Sequence, residues 1–302
     1  MISPTSIQQH TVAKGTYEIR FIDYVFQHFR CIPSRAGIKK AIKRGQFTLD
    51  GNIAVPGKWI EEGQVIELFD LVFPPSKEYY LDLEVLFEDA YMAVVNKPAG
   101  IVVSGNQFKT IENALPHNLE SSNEVDVLAW PRPVHRLDSP TSGVLLVAKT
   151  RKAQINLGQQ FEQKRIQKGY RAILIGEVEA SGMITESIEG LESKSAFELI
   201  SKVPSLQNGF LSLVNLYPLT GRTHQLRIHT ASIGHPIMGD KLYGNQGQHI
   251  KGKGLFLSAV SIEFKHPITK EDMSFIIDEP AKFKSLLNRE ESRFHKFNSE
   301  KL

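Results

Sequence analysis

The chain has 302 residues, 41% of them hydrophobic and 23% charged, with a formal net charge of +3. That balance fits an ordinary globular protein of two domains, or of one large domain plus a module. Any nucleic-acid footprint must then come from local clustering of basic residues, and the single cysteine, Cys31, excludes an internal disulfide and a cysteine-rich zinc site.

The N-terminal stretch MISPTSIQQHTVAKG lacks the apolar centre of a secretory signal. No apolar run approaches the roughly 18 residues of a membrane helix, so a cytoplasmic protein without a membrane partner is expected. From Arg30 to Arg44 there are six Lys or Arg residues and no acid. Within it, PSRAGIKKAIKRG carries helix punctuation, with Ser34 as N-cap and Gly45 just past the end. Ile38, Ala41 and Ile42 share one face, leaving Arg35, Lys39, Lys40, Lys43 and Arg44 around the rest. Such a face can be a solvated surface or an RNA contact. QFTLDGNIAV then reads as strand, Asp-Gly turn and strand, and the run Val65 to Phe69 closes the unit. Over about residues 14–70 this order resembles the small RNA-binding domain first described in a ribosomal small-subunit protein, the S-four fold. Leu49 and Asp50 stand where that family usually carries a hydrophobic residue and Asn before the turn glycine. The resemblance implies an RNA-binding module over residues 1–72, with the five cations of the helix as its RNA contacts.

FPPSKEYYLDLE, with two prolines and mixed charge, is expected as a linker over 73–83. A second domain over 84–288 is strand-rich, with apolar runs in VLFEDAYMAVVNKPAGIVV and at Val144–Ala148, Ala172–Ile175, Leu211–Leu216 and Phe256–Phe264. Helical patterns fall between them, at Arg151–Lys164 and from His224 to Ile233. The irregular alternation predicts an α+β domain around a mixed, mainly antiparallel sheet. The charged tail 289–302 is expected to fray or form a short helix.

Three motifs are set aside. GQHIKGKG nearly spells a phosphate loop, but Gly254 replaces the Ser or Thr that would hold magnesium, and no buried strand precedes it. His135, His224, His229 and His235 show no paired metal-ligand spacing and read as structural histidines. A serine-nucleophile elbow of the form GxSxG is absent.

HRLDSPTSG, from His135 to Gly143, is a polar loop set directly against an apolar strand. Alone, Asp138 and Ser139 could simply cap a turn containing proline. It has three companions: NKPAGIVV from Asn96, QKGYRAIL from Gln167, and TGRTHQLRIHTASIGHPIMGDKLYG from Thr220. In this order and spacing they closely resemble the RluA-type pseudouridine synthases over about residues 82–280.

The resemblance implies isomerisation of uridine to pseudouridine in structured RNA, large-subunit ribosomal RNA first and transfer RNA second. It implies no cofactor and no metal, RNA as partner, no required protein partner and a monomer. The catalytic Asp of that family maps to Asp138, its pocket Tyr to Tyr170 and its active-site Arg to Arg227. Arg136 would enter the space left by a flipped base, and Leu226, His135, Thr141 and Lys168 would complete the uridine pocket. A guanidinium beside Asp138 would keep the carboxylate ionised under an enclosed base. Ser104 and Ser258 stand where many relatives carry His, which bears on substrate choice. Two other classes remain as alternatives: an RNA-binding or ribosome-assembly factor that has lost catalysis, and a nucleoside hydrolase, for which the basic module would have no use.

Overall fold

The computed structural model describes residues 5–29, 31–32, 34–70, 78–244 and 253–300. Two compact units result, Met1–Ser76 and Lys77–Leu302, and most of the phosphate-loop-like stretch GQHIKGKG lies outside the described residues. Among the described residues, no helix is long and apolar enough to cross a membrane.

The first unit contains β1 (Thr5–Thr11), α1 (Phe21–His28), α2 (Arg35–Lys43), β2 (Phe47–Leu49), β3 (Asn52–Ile53) and β4 (Val65–Asp70). Its four strands pair antiparallel in the order β1-β4-β2-β3. Phe47 of β2 meets Phe21 and Phe29 edge-on, with ring centroids 5.9 and 5.4 Å apart, and Val25, Ile38, Leu49, Ile66 and Leu68 pack around them. Helix α2 begins where the sequence marks it: Ser34 Oγ accepts a hydrogen bond from the Gly37 amide at 3.0 Å, a cap of the usual kind. Ile38, Ala41 and Ile42 are buried and all five basic side chains are exposed. The β2–β3 turn puts Asp50 and Gly51 at φ 51° and 76°, a backbone that Asp and Gly tolerate. Asp50 does more than permit the turn. Its carboxylate accepts from the Val65 amide and the Gln64 side chain at 2.8 and 2.9 Å, fastening the hairpin to β4.

Two elements of this unit escape the sequence reading. β1 has a single large apolar residue, Ile7, and becomes a strand by pairing with β4. α1, FIDYVFQH, buries Phe21, Tyr24 and Val25 on one face within only two turns.

The second unit runs β5 (Glu84–Glu88), β6 (Met92–Lys97), α3 (Ile111–Asn118), β7 (Val127–Pro133), β8 (Ser142–Thr150), α4 (Arg151–Glu162), β9 (Gln167–Ile175), β10 (Ser181–Ile184), β11 (Ser195–Ser205), β12 (Gly209–Pro218), α5 (Gln225–Ser232), β13 (Leu257–Lys265), β14 (Asp272–Ile276) and α6 (Lys282–Ser299). Ten strands form one sheet in the order β10-β11-β12-β9-β13-β8-β6-β5, with β14 on β13 and β7 on β8. Among the described residues the one parallel pair is β8 with β13. This is the mixed, mainly antiparallel α+β architecture expected.

Residues 92–95 of β6 and 144–148 of β8 are unbroken apolar runs because both faces of the sheet are covered there. Ala93, Val95, Leu145 and Val147 belong to one cluster, and Met92, Val94, Val144 and Leu146 to the opposite one, the period of two that strand geometry imposes. Where β8 crosses β13, Gly143 has φ 117° and a Cβ there would lie 2.0 Å from the Ala259 carbonyl oxygen; only glycine fits. The Ser258 hydroxyl, buried beside this crossing, accepts from Ser142 Oγ at 3.0 Å.

Two boundaries drawn from composition look different in three dimensions. The stretch expected as linker lies outside the described residues as far as Lys77. Beyond that, Tyr79, Leu81 and Leu83 pack on the large core, and the Leu83 amide donates to Asn118 Oδ1 at 2.7 Å. The tail expected from residue 289 is not separate either: α6 runs unbroken from Lys282 to Ser299, burying Phe283, Leu286, Leu287 and Glu290. Glu290 accepts from Ser205 Oγ at 2.9 Å, which satisfies a buried carboxylate that composition alone would leave in solvent.

Candidate active site

The loop between β7 and β8 carries Asp138, and its polarity has a structural cause. Leu137 anchors it in the large core, and the turn after it closes with a Thr141 amide to Asp138 carbonyl hydrogen bond of 3.0 Å. Lys97, at the end of β6, is completely buried. Its ammonium donates to the carbonyls of Pro98, Ser139 and Thr141 at 2.9, 3.1 and 2.7 Å. Burial lowers the Lys97 pKa to about 8, against a raising influence from Asp138. The amide of Gly100 adds a bond to the Ser139 carbonyl at 2.7 Å. The loop is thus gathered around a buried cation, and its side chains are left to the cavity.

That cavity, about 450 Å³, is lined by Asp138, Tyr170 and Arg227 together with Arg136, Leu226 and Lys168, all expected from the sequence, and by His135 and Thr141. Asp138 comes from the β7–β8 loop, Tyr170 from β9 and Arg227 from the first turn of α5, so three segments distant in sequence meet at one point. Arg227 Nη1 lies 3.4 Å from Asp138 Oδ2, and both side chains are largely buried. Burial, reinforced by the charge of Asp138, pushes the Tyr170 phenol above its ordinary range, so it stays protonated at neutral pH. Burial lowers the Lys168 ammonium, whose Nζ sits 5.9 Å from the centre of the Phe161 ring. Arg136 is exposed at the cavity and makes no ion pair among the described residues.

Some of the expected pocket residues already have structural partners. His135 Nε2 accepts from the Leu146 amide at 3.0 Å, and its ring packs on Phe161. Burial holds its pKa down at about 3, so it is a neutral wall of the cavity. The Thr141 hydroxyl is buried without a hydrogen-bond partner among the described residues, and so is available to a ligand polar group. His229 is bonded to Ser193 and Ser195 at 2.9 Å each, and His235 to the Ile175 carbonyl at 3.0 Å; both are structural, as expected. The five basic residues of α2 lie in the other unit. Four of them point to solvent, whereas Arg35 is paired with Asp23 at 2.8 Å and stacks on Phe26.

Two residues of the site, Asp240 and Gln225, were not singled out from the sequence, and a third, His224, which reads there as a structural histidine, faces the reacting carboxylate instead. His224 directly precedes α5 in a left-handed backbone, φ 54°, which is costly for a residue with a side chain. Its Nε2 lies 3.8 Å from Asp138 Oδ1, and its Nδ1 is 3.0 Å from the Tyr243 hydroxyl. Asp240 is fully buried and holds Arg227 through Nε and Nη2, the nitrogens that do not face Asp138. The signal was present in HPIMGDKLYG, but nothing local says that this turn folds back onto α5. Gln225 completes the set-up: its Oε1 accepts from Thr220 Oγ1 and the Arg222 amide at 2.6 and 3.0 Å, while its Nε2 donates to the Lys194 carbonyl at 2.8 Å. GRTHQLR therefore enters the helix along one defined path.

A family model described as RNA pseudouridylate synthase matches residues 91–232. The dual-specificity RNA pseudouridine synthase RluA of Haemophilus influenzae is 32% identical over 220 residues, covering 67% of this chain and 95% of that protein. The ribosomal large subunit pseudouridine synthase C of the same organism is 29% identical over 320 residues, 94% of this chain and 95% of that one. Among solved structures, human RNA pseudouridylate synthase domain containing 1 aligns with a TM-score of 0.56 at 25% identity, covering 68% of this chain and 86% of that one.

Proposed function

Since the chain belongs to the RNA pseudouridine synthases of the RluA type, we propose that it isomerises uridine in large-subunit ribosomal RNA with Asp138 as the reacting carboxylate. The reaction breaks the bond between ribose C1′ and uracil N1 and joins C1′ to uracil C5. A proton leaves C5 and one is gained at N1, so no electron is lost and no group is carried away. A single carboxylate, acting at the sugar as nucleophile or as acid and base, is enough.

The observation that carries this reading is the Asp138–Arg227 pair in the wall of a cavity large enough for one base. A flipped uracil excludes water from the carboxylate, and the guanidinium offsets the resulting cost to its charge. Tyr170, a protonated phenol, suits a role in holding the uracil face. Taking the C5 proton would need the phenolate, which burial disfavours. Leu226 packs beside it, and the Thr141 hydroxyl and Lys168 are polar groups for the uracil edge. Arg136, exposed at the cavity, fits the place vacated in the RNA stack, recovering part of the few kcal/mol that extrusion costs. The basic face of α2 supplies phosphate contacts that position RNA without reading sequence. No step in this scheme calls on a cofactor.

The test is release of tritium from RNA labelled at uracil C5. Wild-type protein should release label from a large-subunit transcript; release from transfer RNA alone would move the substrate to that class. Asp138→Asn should bind the transcript as tightly and release nothing. Turnover by Asp138→Asn at a rate near wild type would end the assignment.

A further inference from the structure

Arg227 is shared between two acids, and Asp138 holds the smaller part of it. Nε donates to Asp240 Oδ2 and Nη2 to Asp240 Oδ1, each at 2.7 Å, the planar fork that arginine makes with a carboxylate. Only Nη1 is left for Asp138, at 3.4 Å. The Asp240 side chain has no solvent exposure, so it cannot reach RNA. Its Oδ1 also accepts from the Leu242 and Tyr243 amides at 2.9 and 3.2 Å. The arginine and those amides outweigh burial and hold its pKa below the ordinary carboxylate range.

The same turn delivers Tyr243. Its ring lies 5.1 Å from the Arg227 guanidinium carbon, and its hydroxyl is bonded to His224. Each oxygen of Asp138 therefore faces one nitrogen-bearing side chain, Arg227 at Oδ2 and His224 at Oδ1. Neither contact is a tight hydrogen bond, and both partners are tied to the 240–243 turn.

We propose that Asp240 is a positioning residue for the isomerisation: it occupies the fork of Arg227 so that the reacting carboxylate receives the arginine charge without being clamped by it. Without Asp240, the fork would turn to the nearest remaining carboxylate, Asp138, and bind both oxygens that the sugar needs. The inference rests on reading Asp138 as the reacting group.

The experiment is steady-state turnover of the C5-tritiated large-subunit transcript by the full-length protein. Asp240→Asn keeps an oxygen for the two turn amides and loses the charge that holds the fork. Its kcat should fall on the order of 100-fold, the scale of a small misplacement at a reacting centre, with KM for RNA within about twofold. Arg227→Ala should lower kcat as well, and adding Asp240→Asn to it should change little further, because the second residue acts through the first. Should Asp240→Asn fail to fold, Tyr243→Phe, which keeps the ring and releases His224, and Asp240→Glu, which keeps the charge, take its place. Asp240→Glu should retain more kcat than Arg227→Ala, and Tyr243→Phe should fall about tenfold at unchanged KM. Wild-type kcat in Asp240→Asn, or losses that multiply independently with Arg227→Ala, would overturn the proposal. In that case an inactive Asp138→Asn leaves the reading of the site standing, whereas an active one removes both.

Discussion

The helix α2 of the first unit and the buried core of the second hold cations in opposite ways. On α2 of the first unit Lys39, Lys40 and Lys43, with Arg44 at the helix's C-terminal cap, are exposed. In the second unit Lys97, Lys149 and Arg227 are each no more than 5% exposed. Each has named partners: three carbonyls for Lys97, the Glu88 carboxylate and the Asp89 carbonyl for Lys149, two carboxylates for Arg227. An exposed ammonium costs the fold almost nothing and acts at long range on any polyanion, through counterion release. A buried one exists only together with the groups that replace its water. The first kind can be read from composition and exchanged singly with small effect; the second fixes geometry and fails as a unit.

The contrast is sharpest at Arg227. Replacing it with Ala strands two buried carboxylates, and breaking a buried pair costs about 3–5 kcal/mol. Arg227→Ala should therefore lose activity and also melt markedly lower in calorimetry. An unchanged melting curve would place Arg227 among the surface cations.

Lys97→Met comes next. It fills the volume but leaves three carbonyls short of a donor, about 1–3 kcal/mol for a buried polar group left unsatisfied, and it frees the loop that presents Asp138. Because the folded-state pKa of Lys97 is lowered to about 8, the native state releases this proton before the unfolded chain does. The cost of keeping the charge buried is thus full at neutral pH and is relieved as pH rises from about 8 into the ordinary lysine range. Denaturation at successive pH values should show wild type gaining on Lys97→Met over that window. A constant gap would mean that the site is wetter than its burial indicates.

On the exposed side, changing Lys39, Lys40, Lys43 and Arg44 together to Gln should leave stability within about 1 kcal/mol. It should flatten the slope of log RNA affinity against log salt by roughly 1.5–3 units. Equal slopes would show that α2 meets no phosphate. The smallest effect belongs to Lys202, whose pair with Glu177 is solvent-exposed on both sides; Lys202→Ala should shift stability by no more than about 0.5 kcal/mol.

The same division decides what was legible before the structure. HRLDSPTSG and GRTHQLR each keep their chemistry within a few neighbouring residues, so Asp138, Arg136, Leu226 and Arg227 could be named by position. α2 was equally plain, because its cap, apolar face and terminal glycine are all local. Asp240 was not, because its carboxylate matters only after a turn brings it back onto α5. Lys97 stood in a quoted motif without a role, since its partners are carbonyls, which every residue has. Among the elements, β1 and β11 carry too many polar residues to announce a strand and take their form from their neighbours. α3 contains Pro116, an ordinary helix breaker, in its last turn, six residues past its Thr110 cap. The charge of α6 hid an apolar stripe that continues into a buried acid.

Gly143 follows Asp138 by five positions and is pressed onto Ala259, which in turn pairs with Tyr170 on the far side. One rung of three strands thus ties the loop that bears the carboxylate to the strand that bears the phenol. These two walls of the cavity are therefore held to each other by one sheet. The travel needed for a uracil to arrive between them falls to the nucleic acid, so the choice among uridines is weighted by how easily each leaves its own stack. A position in a loose loop or beside a weak pair is favoured before any edge of the base is read.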